Sequence, residues 1–176
     1  MELQHAIELI RSDRLVTDKP TNWADLGCGT GLFTGALAHF LSPGSVIYAV
    51  DISRSALFKL EPPTNGVVIE KIQADFVRDA LPFSGLAGIL MANALHFVRD
   101  QKTFMMKAVN LLQPHGCLLL VEYDTDQANP WVPYPVSFGK LKHLIAKLGY
   151  GTVEKLGVRP SLYHRAALYA ALVQVN

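Results

Sequence analysis

The chain has 176 residues, a formal net charge of +1 and 18% charged residues. That length suits a single domain, 1–176, with one sizeable core. No apolar run reaches the roughly 18–20 residues a membrane span needs, and a near-neutral charge with no long basic run argues against a dedicated nucleic-acid binder.

Met1–Arg14 carries charges throughout and no signal-like apolar core, so no secretory leader is expected. Within it Leu3, Ile7 and Ile10 recur at helical spacing, which predicts an amphipathic helix over 2–14. Residues 22–27 read as a short buried strand. Residues 32–41 read as a helix stopped by Pro43 and Gly44. A second strand follows at 45–50, then a helix at 54–60 capped by Ser53 and closed by Pro62 and Pro63. Strands three and four fall at 67–72 and 86–92. Asp100 caps a helix running to about Leu112. After a turn at Gln113–Gly116 comes strand five, 117–123. A proline- and aromatic-rich loop, "NPWVPYP", leads to a helix opened by Ser137 and ending near Leu148. Two strands, 151–157 and 166–174, close the chain and pair as an antiparallel hairpin. The pattern predicts an α/β fold, a doubly wound and mostly parallel sheet with helices on both faces.

Cys28 and Cys117 belong to no CxxC pair, so neither a disulfide framework nor a zinc site is expected, and a reducing cytoplasm is the natural compartment. The first strand runs into "ADLGCGTG", with Gly27, Gly29 and Gly31 at alternate positions. In doubly wound folds the ligand lies at such a strand–helix turn, where strand order reverses. A dinucleotide fingerprint, G-x-G-x-x-G, would place its third glycine at Leu32, and a P-loop would need Gly-Lys-Ser/Thr, which is absent. Two more acids follow strand ends. Asp51 can accept hydrogen bonds from ribose hydroxyls or serve as a helix cap. Asp75 can accept from an exocyclic amine, with Phe76 as an apolar edge, or hold a plain turn.

"ADLGCGTG", "VDIS", "QADF" and "LQPHGCLLLVE", in this order and spacing, resemble the class I S-adenosylmethionine-dependent methyltransferases, from Asp25 through the final hairpin. The resemblance implies a Rossmann-like seven-stranded sheet in the order 3-2-1-4-5-7-6 with strand 7 antiparallel. It implies S-adenosyl-L-methionine as cofactor, with the demethylated S-adenosyl-L-homocysteine as product. Carried over position by position, Gly27, Cys28, Gly29, Thr30 and Gly31 hold the methionine part. Asp51 holds the ribose hydroxyls beside Ile52. Asp75 binds the adenine amine with the Phe76 backbone near the ring. Asn93 lies close to the amino-acid end, and Asp25 helps position that end through the loop or a water.

With a sulfonium as methyl donor, catalysis reduces mainly to in-line positioning of the acceptor, with a base where the acceptor must lose a proton. His96, in "NALHFV" after strand four, falls near the switch point, as a base, an acceptor-binding group or a structural residue. Asn93-Ala94-Leu95-His96 lacks the N/D-P-P-Y/F of methyltransferases acting on adenine amines or glutamine amides. Arsenite methylation would need several thiols. Trp131 and Tyr134 can cover an acceptor, and Arg159, Tyr163, His164 and Arg165 can meet an anionic one. Glu122 and Asp124 are weak evidence for a metal, and none is assigned. The expectation is a methyltransferase acting on a small molecule by direct displacement. An RNA or protein methyltransferase subunit targeted by a partner, and a non-catalytic binder of the cofactor, are the alternatives. The final hairpin and the aromatic loop offer contacts for a homodimer.

Overall fold

The structure, a computed structural model, describes residues 1–160 and 166–175. Seven strands form one sheet: β1 (Asn22–Leu26), β2 (Val46–Asp51), β3 (Val68–Gln73), β4 (Leu86–Ala92), β5 (Leu112–Tyr123), β6 (Val153–Arg159) and β7 (Leu168–Gln174). Their order is β3-β2-β1-β4-β5-β7-β6. β7 runs antiparallel to both β5 and β6, and the other pairs are parallel. The helices are α1 (Leu3–Ile10), α2 (Leu32–Ala38), α3 (Arg54–Lys59), α4 (Gln101–Val109) and α5 (Phe138–Leu148).

Alternation along the strands splits the core between two faces. Ala24, Leu26, Ile89, Met91, Leu118 and Leu120 pack against α4 and α5. Trp23, Ile47, Leu90, Leu119 and Val121 pack against α1 and α2. On the second face the Trp23 ring packs over Gly88, where any side chain would overlap it. Ser53, Asp100 and Ser137 cap α3, α4 and α5, each accepting a backbone N–H of the first turn, a contribution of about 1 kcal/mol apiece.

Several boundaries differ from expectation, and three of them have a visible cause. α1 stops at Ile10 because Arg11 turns extended, and Ser12 then caps a separate 3₁₀ turn, Asp13–Leu15. α4 stops at Val109, since Leu111 and Leu112 are drawn onto the edge of β4: Leu86 N–H donates to the Leu111 carbonyl at 2.9 Å. β5 therefore starts five residues early. The expected turn survives inside it, because Leu112 pairs with Leu86 and Cys117 with Gly88, so residues 113–116 loop out. No helix connects β3 to β4; residues 74–85 cross as turns.

Candidate functional site

The sheet order reverses at β1, which lies between β2 and β4. The turn leaving β1 is built from glycines in left-handed conformations, φ +80° at Gly27, +55° at Gly29 and +90° at Gly31, a region glycine enters without steric cost. Close approach also demands two of them. A Cβ at Gly27 would lie 2.8 Å from Ala94 Cβ, and one at Gly31 2.5 Å from Leu60 Cγ. The turn is pinned to its neighbour strand, where the Val50 carbonyl accepts the N–H groups of Gly27 (2.8 Å) and Cys28 (3.0 Å).

Asp51, at the end of β2, joins this turn to the next. Its Oδ2 accepts the Gly29 N–H at 2.8 Å and its Oδ1 accepts the Ser53 N–H at 2.8 Å. A glycine-turn amide that would serve a phosphate is thus already directed at a carboxylate. Beneath it Asp25 is fully buried. Burial pushes its carboxyl from the ordinary 3.8 up to about 7; the Thr34 hydroxyl opposes the rise and Asp51 adds to it. Thr34 donates to Asp25 Oδ2 at 2.6 Å, whereas Oδ1 has no partner. Asn93, just past β4, has φ +53° and a second buried acceptor without a partner, its Oδ1. Buried acceptors left open are costly, and Asn93, unlike the fully buried Asp25, lines a cavity from which a ligand can bring a donor.

A cavity of about 670 Å³ opens over these strand ends, lined by Gly27, Asp51, Ile52, Asp75, Phe76 and Asn93 among others. Phe97, Arg99 and Tyr134 complete its far wall. Ile52 is 68% exposed, an apolar side chain held open where a flat ring can lie. Asp75 lines the cavity, and its Oδ1 accepts Val77 N–H (2.9 Å) and Arg78 N–H (3.3 Å) to hold the turn after β3. Asp51, Asp75 and the unpaired amide oxygen of Asn93 suit an amine-bearing ligand with hydroxyls, with Arg78 and Arg99 also on the wall.

Residues 24–120 match the family model for the methyltransferase domain. The chain belongs to the methyltransferase domain family. An uncharacterized methyltransferase of Mycobacterium tuberculosis and one of Mycobacterium bovis are each 30% identical over 101 residues, 57% of this chain and 50% of theirs. The chain thus spans about half the length of the curated relatives it matches. Three solved methyltransferases share the fold. The arsenic(III) S-adenosylmethionine methyltransferase of Chlamydomonas reinhardtii has TM-score 0.70 and 14% identity over 98% of this chain and 72% of its own. The Burkholderia thailandensis 1,6-didemethyltoxoflavin-N1-methyltransferase has TM-score 0.68 and 16% identity over 99% and 78%. An S-adenosylmethionine-dependent methyltransferase of Aquifex aeolicus has TM-score 0.64 and 15% identity over the whole of both chains.

Within this methyltransferase frame, several expected residues fall elsewhere. His96 is 2% exposed and is not part of the cavity wall. A one-turn 3₁₀ helix, Leu95–Phe97, turns His96 inward and Phe97 outward. Glu122 on β5 holds it there. Glu122 Oε2 lies 2.6 Å from His96 Nδ1, and Oε1 accepts the His96 backbone N–H at 3.1 Å. Glu122 is therefore turned away from Asp124, which instead accepts Phe138 N–H at 2.9 Å and faces Lys155. Trp131 is 79% exposed and off the cavity wall, because Asn129 caps the turn beneath it and directs the indole outward. Tyr134 does line the cavity. Its N–H donates to the His96 carbonyl at 3.0 Å, and its own carbonyl accepts from Gln101 Nε2 at 2.8 Å. Thr30 and Gly31 line a separate groove beside α1. Tyr163, His164 and Arg165 lie outside the described residues. Phe97 and Arg99 were not singled out from the sequence; the available signal was an aromatic and a cation two residues apart directly after His96.

Proposed function

We propose that this chain transfers a methyl group from S-adenosylmethionine to a small-molecule acceptor. The unpaired acceptor Asn93 Oδ1, on the cavity wall beside the glycine turn, carries the reading. It suits the amino group of the methionine end, Asp51 suits the ribose hydroxyls, and Ile52, Asp75 and Phe76 suit the adenine. When bound, the cofactor supplies a methyl group already activated on a sulfonium centre. The chain then has to bind, orient and exclude water. Gly27 keeps its place free of side-chain atoms, and Phe97 and Tyr134 bound the space left for the acceptor.

His96 acts in this account as a positioning residue. Clamped by Glu122, it fixes the turn that presents Phe97, and its carbonyl holds Tyr134 at the cavity. Planar acceptors suit the wall of Phe97 and Tyr134, in keeping with the heterocyclic substrate named for the Burkholderia neighbour. Arsenic chemistry does not carry over. Burial pushes the Cys28 thiol well above its ordinary value and Cys117 from 9.0 up to about 12, so neither presents a thiolate. Among the described residues no helix is long and apolar enough to cross a membrane.

The test is a panel of phenols, amines, carboxylates, thiols and heterocycles, scored by release of S-adenosylhomocysteine. Acceptor-dependent release with at least one small molecule is expected. Release only with RNA or a protein plus a partner subunit would overturn the small-molecule reading.

A further inference from the structure

We infer that the acceptor carries a phosphate group, bound in a basic groove that continues from the reaction cavity; this rests on the methyltransferase reading above. The groove, about 590 Å³, lies between the start of α4 and the exposed side of α5. Arg99, Lys102, Lys140, His143 and Lys147 line it, against a single acid, Asp100. That acid is engaged, since its Oδ1 accepts the Thr103 N–H at 3.0 Å as the cap of α4. Among the described residues only Lys140 of these cations has an ion-pair partner, the exposed Asp126 at 3.3 Å. In a chain whose net charge is only +1, such a concentration is local. Its field favours a compact, multiply charged anion.

Two contacts make groove and cavity one continuous surface. Arg99 lines both. Gln101, also on the groove, holds Tyr134 of the cavity wall through the 2.8 Å bond to its carbonyl. An acceptor seated between Phe97 and Tyr134 can thus extend an anionic group along Arg99 toward Lys102 and Lys147. Arginine and lysine donors match phosphate oxygens. The groove is short, bounded by one turn of α4 and about two turns of α5, which fits a phosphate or pyrophosphate ester and not a nucleic-acid strand.

Inorganic pyrophosphate is the probe, titrated at low salt into the full ¹⁵N-labelled chain, with S-adenosylhomocysteine binding measured separately by calorimetry. Saturable amide shifts confined to residues near Arg99, Lys102 and His143 are expected, weakening as salt rises. The double variant Lys102→Glu, Lys147→Glu should lower pyrophosphate affinity by about tenfold or more and leave S-adenosylhomocysteine affinity unchanged. Shifts spread evenly over all surface lysines, or equal affinity in the variant, would overturn the inference. So would a short single-stranded RNA that binds the groove and is not displaced by pyrophosphate. Normal S-adenosylhomocysteine binding with no pyrophosphate site would sink the groove alone; failure of S-adenosylhomocysteine to bind would sink the methyltransferase reading itself.

Discussion

Glu122 grips His96 at two points, the ring through Nδ1 at 2.6 Å and the backbone N–H at 3.1 Å, with both side chains at 3% exposure or less. One carboxylate therefore sets both the rotation of the imidazole and the path of the chain after β4. Removing either partner leaves a buried polar group unsatisfied. His96→Ala should cost about 1–3 kcal/mol, because Glu122 Oε2 loses its partner while Oε1 keeps the backbone N–H. Glu122→Ala should cost about 2–4 kcal/mol. The double variant should cost clearly less than the sum. Denaturant unfolding of the three variants measures this, and simple additivity would show that the clamp does not hold the turn.

The glycines of the first turn are unequal in what they tolerate. A Cβ at Gly31 meets Leu60 at 2.5 Å, whereas nothing lies within 4 Å of one at Gly29. Both have positive φ. Gly29→Ala should cost only the backbone strain, about 1 kcal/mol, and Gly31→Ala about 2–3 kcal/mol through added overpacking. Thermal unfolding that ranked them the other way would contradict the described turn.

Asp25 gives stability a pH dependence of a defined sign. Its carboxyl rises from 3.8 to about 7 on folding, chiefly by burial. Between these values the folded chain holds a proton that the unfolded chain has released. Stability therefore falls as pH rises through that window, and the loss is complete above about pH 7. The rise corresponds to at most about 4 kcal/mol. Asp25→Asn should flatten this segment of the stability–pH curve.

Tyr134 and Trp131 share one loop and should behave oppositely. Tyr134 lines the cavity and Trp131 is 79% exposed. For any acceptor found by the panel, Tyr134→Ala should raise KM several-fold, the effect of losing one aromatic contact of about 1 kcal/mol. Trp131→Ala should leave kcat and KM near their original values. The reverse pattern would place the acceptor outside the cavity.

The fold was readable from the sequence because its signals are local and repeated. Apolar runs at 45–50, 86–92 and 117–123 could only be buried strands, and Ser53, Asp100 and Ser137 announced helices that the structure caps with those side chains. The wall over the ends of β2 and β3 was legible for the same reason, since Asp51 ends β2 and Asp75 lies two residues past β3. The acceptor side was not. Whether His96 or Phe97 faces the cavity depends on one 3₁₀ turn and on Glu122, 26 residues away. Nothing in "NALHFV" specifies that partner. Trp131 misled because its direction is set by Asn129 capping the turn, a contact the prolines around it conceal.

The central claim is that the strand-end cavity binds S-adenosylmethionine, and calorimetry with S-adenosylhomocysteine tests it most directly. Binding at one site per chain is expected. Asp51→Ala, which also frees the Gly29 and Ser53 amides, should weaken it by about 1–3 kcal/mol. Binding of a nicotinamide dinucleotide in place of S-adenosylhomocysteine, or an affinity indifferent to Asp51, would contradict the account.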